Sequence, residues 1–278
     1  MPMDFLQFTS EKGIVCIKDQ YHNVRIINPA SGQLKKLPRL EIKIINPDFD
    51  RFLMRTMTRS CFFGFLDGTY KVLQVSKTTN GISGHIFTLG DMFSTSGDST
   101  WRRINYQLDN EVALERDEKS ICIDGVIFYL AKREVAQNEN TRLVVRFELL
   151  TEKFTLIEVL VEMMSAWSSS VLANVHGRLA IGQSKAFKLG ITTLWTFNHD
   201  SSSWSSDIIK TMPLCEGFGD YKASVNFKGA TPHGDLLFSV NVWGLFEGKQ
   251  YNSCNDCEPN FVIFGRASID VRCVRRST

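Results

Sequence analysis

Five times along this chain a residue–glycine pair separates two short apolar runs: Lys12-Gly13, Asp67-Gly68, Asp124-Gly125, His176-Gly177 and His233-Gly234. From glycine to glycine the intervals are 55, 57, 52 and 57 residues. Two of the five pairs are Asp-Gly, which a two-residue hairpin prefers because a type I′ turn needs positive φ at both central positions. The runs are rich in Val, Ile, Phe, Tyr and Leu, close on Gly, Asn, Asp or Ser, and lack a helical period, so they read as strands. A second hairpin-like stretch follows each turn: 24–27 with 34–37, 85–89 with 101–104, 143–147 with 154–157, 192–197 with 204–208, and 261–264 with 269–274. Four strands per period, five times over, is the scale of a kelch-like propeller blade. A sandwich would not keep a fixed period through five copies. The expected fold class is all-β: a kelch-like β-propeller of about five four-stranded repeats, starting near 11, 61, 120, 171 and 223, with 1–278 as a single domain. The ring either closes with five blades or stays incomplete.

Chain geometry adds a functional expectation. In an antiparallel blade with strands A to D, the A–B and C–D turns share one end, and the B–C and D–A connections share the other. Here the A–B turns are the tight ones, whereas segments 76–84, 132–141 and 244–260 (B–C) and 39–58, 105–119, 158–170 and 209–225 (D–A) read as long and irregular. Long loops on a rigid scaffold are where binding usually resides. Tyr106, Trp167, Phe246 and Tyr251 fall in these loops. Two readings of them stay open: exposed aromatics that anchor a partner, as Tyr and Trp do in interfaces, or side chains that pin their own loops. Arg133, with Lys132 and Lys249, would form a polar rim. Trp101, Trp195 and Trp204 fall on strands and read as inter-blade core.

Composition narrows the partner classes. Hydrophobic residues at 43% and charged residues at 22% are ordinary for a globular chain, which excludes a disordered or collagenous one. The net charge of +2 gives no basic stripe of the kind a nucleic-acid partner requires. No apolar run approaches the ~18 residues of a membrane span, and the opening Met-Pro-Met-Asp does not begin a signal peptide. Seven cysteines, an odd number, lie mostly among Ile, Val and Phe, where reduced thiols pack as small hydrophobes. A reducing compartment, cytoplasm or nucleus, is expected.

The chemistry-bearing motifs are few. Cys254-Asn255-Asp256-Cys257 is a lone CxxC, and a structural zinc wants four ligands at fixed spacing, so no metal or other cofactor is expected. The stretch 94–101 superficially resembles an Asp-box of sialidase propellers, but Ser96 and Asp98 stand where that motif needs Asp and Gly. His176 and His233 sit in turns, where histidine tolerates left-handed backbone. His22, His85 and His199 have no partner at catalytic or ligating spacing, and no nucleophile elbow, zincin or P-loop motif occurs. No catalytic residue is therefore named. The rival classes are a propeller glycoside hydrolase and a glycan-binding module.

Seven short stretches, in order, resemble the plant F-box-associated domain, type 3. They are Gly13 to Ile17 ("GLICF" in the family); Ile26 to Gln33 with Leu37-Pro38 ("ICNPSTGQ…LP"); and Phe63-Gly64-Phe65 with Tyr70 to Leu73 ("FGYD…YKVL"). Then come Leu89-Gly90 with Trp101-Arg102, Ile123 to Ala131 ("INGVLYYLA"), Phe147 with Glu152-Lys153-Phe154, and Leu194-Trp195 with Trp204-Ser205. The resemblance runs from about Ser10 to Phe238. It implies a propeller-like substrate-recognition module of an SCF-type ubiquitin ligase, without catalysis, presenting an unknown target protein on its loop-rich face. The family's F-box and one more strand pair normally precede the first matching strand, and residues 1–10 are too short to supply them. The expectation is an associated domain alone, joining the SCF adaptor only if an F-box is present upstream. It is also expected to be less stable and prone to aggregate, because an unclosed ring leaves sheet edges exposed.

Overall fold

The computed structural model describes residues 7–40, 59–78, 81–90, 100–104, 112–114, 120–133, 141–184, 191–210, 222–231, 234–243 and 260–264. The chain divides into two compact units, Met1–Glu158 and Val159–Thr278.

The first unit holds three antiparallel meanders. One is β1 (Gln7–Glu11), β2 (Ile14–Lys18), β3 (Val24–Asn28) and β4 (Gln33–Lys36); the next is β5 (Arg59–Leu66), β6 (Thr69–Thr78), β7 (Gly81–Leu89) and β8 (Arg102–Arg103). The third contains β9 (Val112–Leu114), β10 (Ser120–Ile123), β11 (Val126–Arg133), β12 (Thr141–Glu148) and β13 (Phe154–Glu158). The middle sheet is apolar on both faces, which is why Cys61-Phe62-Phe63 and Val72-Leu73 read as unbroken hydrophobic runs. Residues alternate faces along a strand, so Cys61, Phe63, Val72 and Phe87 pack with Ile14, Cys16, Val24 and Ile26 of the first sheet. Phe62, Leu73, Val75 and Ile86 pack with Ile127, Tyr129, Val145 and Phe147 of the third. Phe62 stacks on Tyr129 with ring centroids 4.2 Å apart.

The second unit opens with a one-turn helix, α1 (Val161–Met164), and a 3₁₀ turn (Trp167–Ser169). A four-stranded meander follows: β14 (Ser170–Val175), β15 (Arg178–Ser184), β16 (Ile191–Asn198) and β17 (Ser203–Lys210). The last sheet has three strands among the described residues: β18 (Lys222–Ala230), β19 (Leu236–Trp243) and β20 (Asn260–Phe264). Ala173, Ala180 and Gly182 leave room for the Phe227 ring, which meets Phe238 edge to face.

The all-β fold and its meander repeat match the sequence reading, and the first four A–B turns are type I′ in backbone conformation. Lys12, Asp67, Asp124 and His176 have φ between 47° and 53°, and their glycines φ between 76° and 80°. Pairing runs up to Glu11↔Ile14, Leu66↔Thr69, Ile123↔Val126 and Val175↔Arg178, leaving two-residue loops. Three C–D turns also share one design: Gly32, Glu152 and Ser202 each take positive φ four residues after Asn28, Glu148 and Asn198. The Asn28 and Asn198 side chains accept from backbone N–H groups two residues on, at 3.0 and 2.9 Å.

Several expectations are corrected. The fifth turn spans five residues, since β18 and β19 close at Ala230↔Leu236. Thr231 and Asp235 close the loop through Thr231 N to Asp235 O at 2.7 Å. Segment 76–84 is a strand hairpin rather than a long loop, paired to Thr78↔Gly81. Within 105–119, Val112–Leu114 is strand: Val112 and Ala113 are buried in the apolar core, and β9 pairs with the far end of β11. The first sheet begins at Gln7, because the mostly polar run Gln7-Phe8-Thr9-Ser10 pairs through its backbone without an apolar signature.

Candidate functional site

The B–C and D–A ends of the sheets carry the polar chemistry. Arg133 ends β11 there and pairs with Glu158 at the end of β13, 3.1 Å away. Trp167, expected as an exposed loop aromatic, is 3% exposed. The D–A segment folds into α1 and the 3₁₀ turn and tucks Met163 and Trp167 inward, so this residue is corrected to a core side chain. Leu160 and Val161 are the exposed apolar residues of that connection. Tyr106, Phe246 and Tyr251, the CxxC at 254–257 and the stretch 94–99 lie outside the described residues.

In the second unit two sets of buried polar groups at this end, around Gln183 and Ser184, are hydrogen-bonded within the protein, whereas Ser239 Oγ has no partner among the described residues. Gln183 Nε2 donates to the Met163 carbonyl and to Ser170 Oγ, each at 2.8 Å, while Gln183 Oε1 accepts from Trp195 Nε1 at 3.1 Å. Ser184 Oγ meets Thr192 Oγ1 at 3.1 Å and accepts from the Phe227 N–H at 2.8 Å.

The first unit differs. Cross-strand pairing places Arg59 opposite Ser76, Gln74 opposite Cys61 and His85, and His85 opposite Arg103. Directly paired residues and those two apart share a face, so Arg59, Cys61, Gln74, Ser76, His85 and Arg103 all lie on the β5–β8 face that packs on the first sheet. From the first sheet, Gln7 Nε2 donates to the Cys61 carbonyl at 2.9 Å, and Lys18 Nζ donates to the Arg59 carbonyl. Toward the tight turns this cleft is apolar; toward the connections it is polar and basic.

Several of its buried polar atoms have no hydrogen-bond partner among the described residues: Arg59 Nε, Gln74 Nε2 and Oε1, Ser76 Oγ, His22 Nδ1 and His85 Nδ1. Burial, with Lys18, Arg59 and Arg39 nearby, pushes the His22 imidazole down to about 4. Burial and the neighbouring Arg103 and Arg59 charges also lower His85. Arg59 is itself lowered by burial and by Arg39. Asp19 is held below the ordinary carboxylate range although burial opposes it: its oxygens accept from Asn23 Nδ2 and from the Tyr21 and Asn23 N–H groups, each at 2.9 Å, with Arg25 at 3.5 Å. Tyr21, 64% exposed, stands on the same turn.

Sequence reasoning passed over this cluster because its members lie far apart along the chain. The available signal was the polar pair Gln74 and Ser76, which continues the face that Val72 begins. The nearby Cys16 and Cys61 are free and buried. The Cys16 thiol, hydrogen-bonded to Cys61, is pushed well up, which makes it an unreactive packing group. Among the described residues no side-chain cluster could hold a metal ion, and no helix is long and apolar enough to cross a membrane.

Residues 2–258 match the F-box associated beta propeller domain. F-box protein At1g52495 of Arabidopsis thaliana is 26% identical over 81% of this chain and 49% of its own length. F-box protein At1g47810 of the same plant is 28% identical over 78% of this chain and 56% of its own. The chain thus spans about half the length of these curated relatives. Among solved structures, polysaccharide lyase Uly1 aligns over 87% of this chain and 55% of its own, at 9% identity and a TM-score of 0.46. A ulvan lyase aligns over 92% and 67%, at 10% identity and 0.43. Likenesses this slight say nothing about chemistry. Five meandering antiparallel sheets and a family match across nearly the whole sequence lead to one conclusion: the chain belongs to the F-box associated β-propeller family.

Proposed function

We propose that this chain, acting as a single propeller domain, is a target-binding module of the kind that supplies substrate recognition to SCF-type ubiquitin ligases, with no catalysis of its own. The observation that carries this is the family match over residues 2–258, with relatives that are F-box proteins. The B–C and D–A connections are the binding surface in this reading, with Arg133 on the rim and Tyr106, Phe246 and Tyr251 as anchors. Joined to an F-box, the module holds a target near the ubiquitin-transfer machinery. On its own it binds targets without delivering them and so protects them. The cytoplasm and nucleus, where that machinery works, are its expected compartments.

The test is crosslinking capture in plant cells, followed by the half-life of each captured protein as expression of this chain is varied. A dose-dependent, proteasome-dependent change in half-life is expected: shorter if the chain works within a ligase, longer if it competes with one. Alanine at Tyr106, Phe246 and Tyr251 together should abolish capture while the melting transition stays in place. Trp167→Ala should instead collapse the fold. Captured proteins with unaltered half-lives, or turnover of an aryl glycoside by the purified chain, would refute the proposal.

A further inference from the structure

We propose that the polar end of the cleft between the first two sheets is an oxyanion site, built to take a carboxylate or phosphoryl group carried on an extended acidic segment of a bound protein. Only the identity of that carrier rests on the receptor reading above. The site stands on the geometry of Arg59, Gln74, Ser76, His22 and His85.

Arg59 is 4% exposed, yet its Nε–H has no acceptor and its guanidinium makes no ion pair among the described residues. A buried guanidinium is costly unless it is paired and hydrogen-bonded. The exposed Arg39 and Arg103 add positive charge at the same end. The neighbouring acid, Asp19, is consumed by its own turn and by Arg25. Water can satisfy a stray amide or hydroxyl, but it does not neutralise a buried guanidinium. An oxyanion does both, and the planar fork of arginine matches carboxylate and phosphate alike.

The repeat supplies an internal comparison. Gln74 and Gln183 each stand six residues after their turn glycine, Gly68 and Gly177. In β15 both amide atoms of Gln183 are engaged by the protein. In β6 neither amide atom of Gln74 is, although the residue is only 1% exposed. The position that one repeat fills from within, another leaves for a ligand. Exposed Tyr21 stands on the turn beside it, where a ring could cover an extended peptide.

The experiment titrates the purified chain with sodium phosphate and, separately, sodium acetate at constant ionic strength. It follows the ¹⁵N–¹H resonance of Arg59 Nε, assigned by its loss in Arg59→Met, and the melting temperature. A saturable shift of that resonance with at least one anion is expected. Arg59→Met should weaken binding at least about tenfold, as expected for a lost charge-assisted bidentate partner, and so should Gln74→Leu. The tighter anion names the group that the natural ligand carries. No saturable shift with either anion overturns the proposal, whether waters or the chain's own acids fill the site. An unchanged affinity in folded Arg59→Met, or in Gln74→Leu should the first variant not fold, overturns it equally. If the anion binds but no target protein is ever stabilised or destabilised, the site stands and the receptor reading falls.

Discussion

Replacing Gly182 by alanine would put a methyl group where the Phe227 ring now lies. The added Cβ would sit 2.7 Å from Phe227 Cγ, and closer still to Cδ1 and Cε1. Carbon atoms in ordinary contact stand ~3.5–4.0 Å apart, so the ring must retreat by about 1 Å or more. It has little freedom to do so. Its backbone N–H is held by Ser184 Oγ at 2.8 Å, and Phe238 packs against it with centroids 5.5 Å apart. Overpacking a rigid core costs typically ~1–3 kcal/mol, and the upper end applies because aromatic ring and backbone are both fixed. For a chain of this size that lowers Tm by roughly 5 °C. The double variant Gly182→Ala with Phe227→Ala removes the ring atoms that clash, so the two substitutions should be less harmful together than their sum by at least about 1 kcal/mol. Gly64→Ala is the comparison: its Cβ would meet Leu149 Cδ1 at 2.8 Å, the far end of a flexible side chain, and a loss of only about 1 kcal/mol is expected. Calorimetric melting of the four variants decides the matter. A Gly182→Ala protein that melts within about 1 °C of wild type, or a double variant that is simply additive, refutes the reasoning.

Tyr129→Phe should leave Tm unchanged or raise it, by at most about 1 kcal/mol of stability, because the buried hydroxyl has no partner among the described residues and the stack on Phe62 survives; a clear fall would reveal an unrecognised hydrogen bond. The depressed His22 gives a pH dependence with a definite sign. Its folded value of about 4 lies below the ordinary 6.5, so the unfolded chain takes up the proton first. That contribution is complete above about pH 6.5 and is lost as pH falls toward 4. The groups that face it are Lys18, Arg59, Arg39 and Asp19, whose carboxyl is held below the ordinary carboxylate range. His22→Asn, which keeps a residue tolerant of the positive φ, should flatten the upper part of the urea-unfolding profile between those limits; an unaltered slope would place the titration elsewhere.

The legible part of the fold was its punctuation. Lys12, Asp67, Asp124 and His176 before glycine specify left-handed turns whatever surrounds them, because the steric requirement is local. The C–D turns were less legible, since Glu152 and Ser202 take positive φ without a glycine, helped by bonds such as Glu152 N to Glu148 O at 2.8 Å. At Gly234 the local signal misled: a turn was right, but its length followed from where β18 and β19 stop pairing, at Ala230↔Leu236. Trp167 and the Arg59 cluster were hidden for a different reason. Whether a loop tryptophan is buried depends on how its connection folds, here into a helical turn and a 3₁₀ turn, and which polar residues meet depends on pairings such as Cys61↔Gln74.

By itself, then, the sequence determined the repeat, the strand alternation, the turn types and the family, all consequences of short-range sterics and period. Only the tertiary structure decided which residues share a cleft. Antiparallel pairing brings positions far apart in the chain, Lys18, Arg59, Gln74 and His85, onto facing surfaces of two sheets. Partnership across such distances is a property of register and packing that no local pattern encodes.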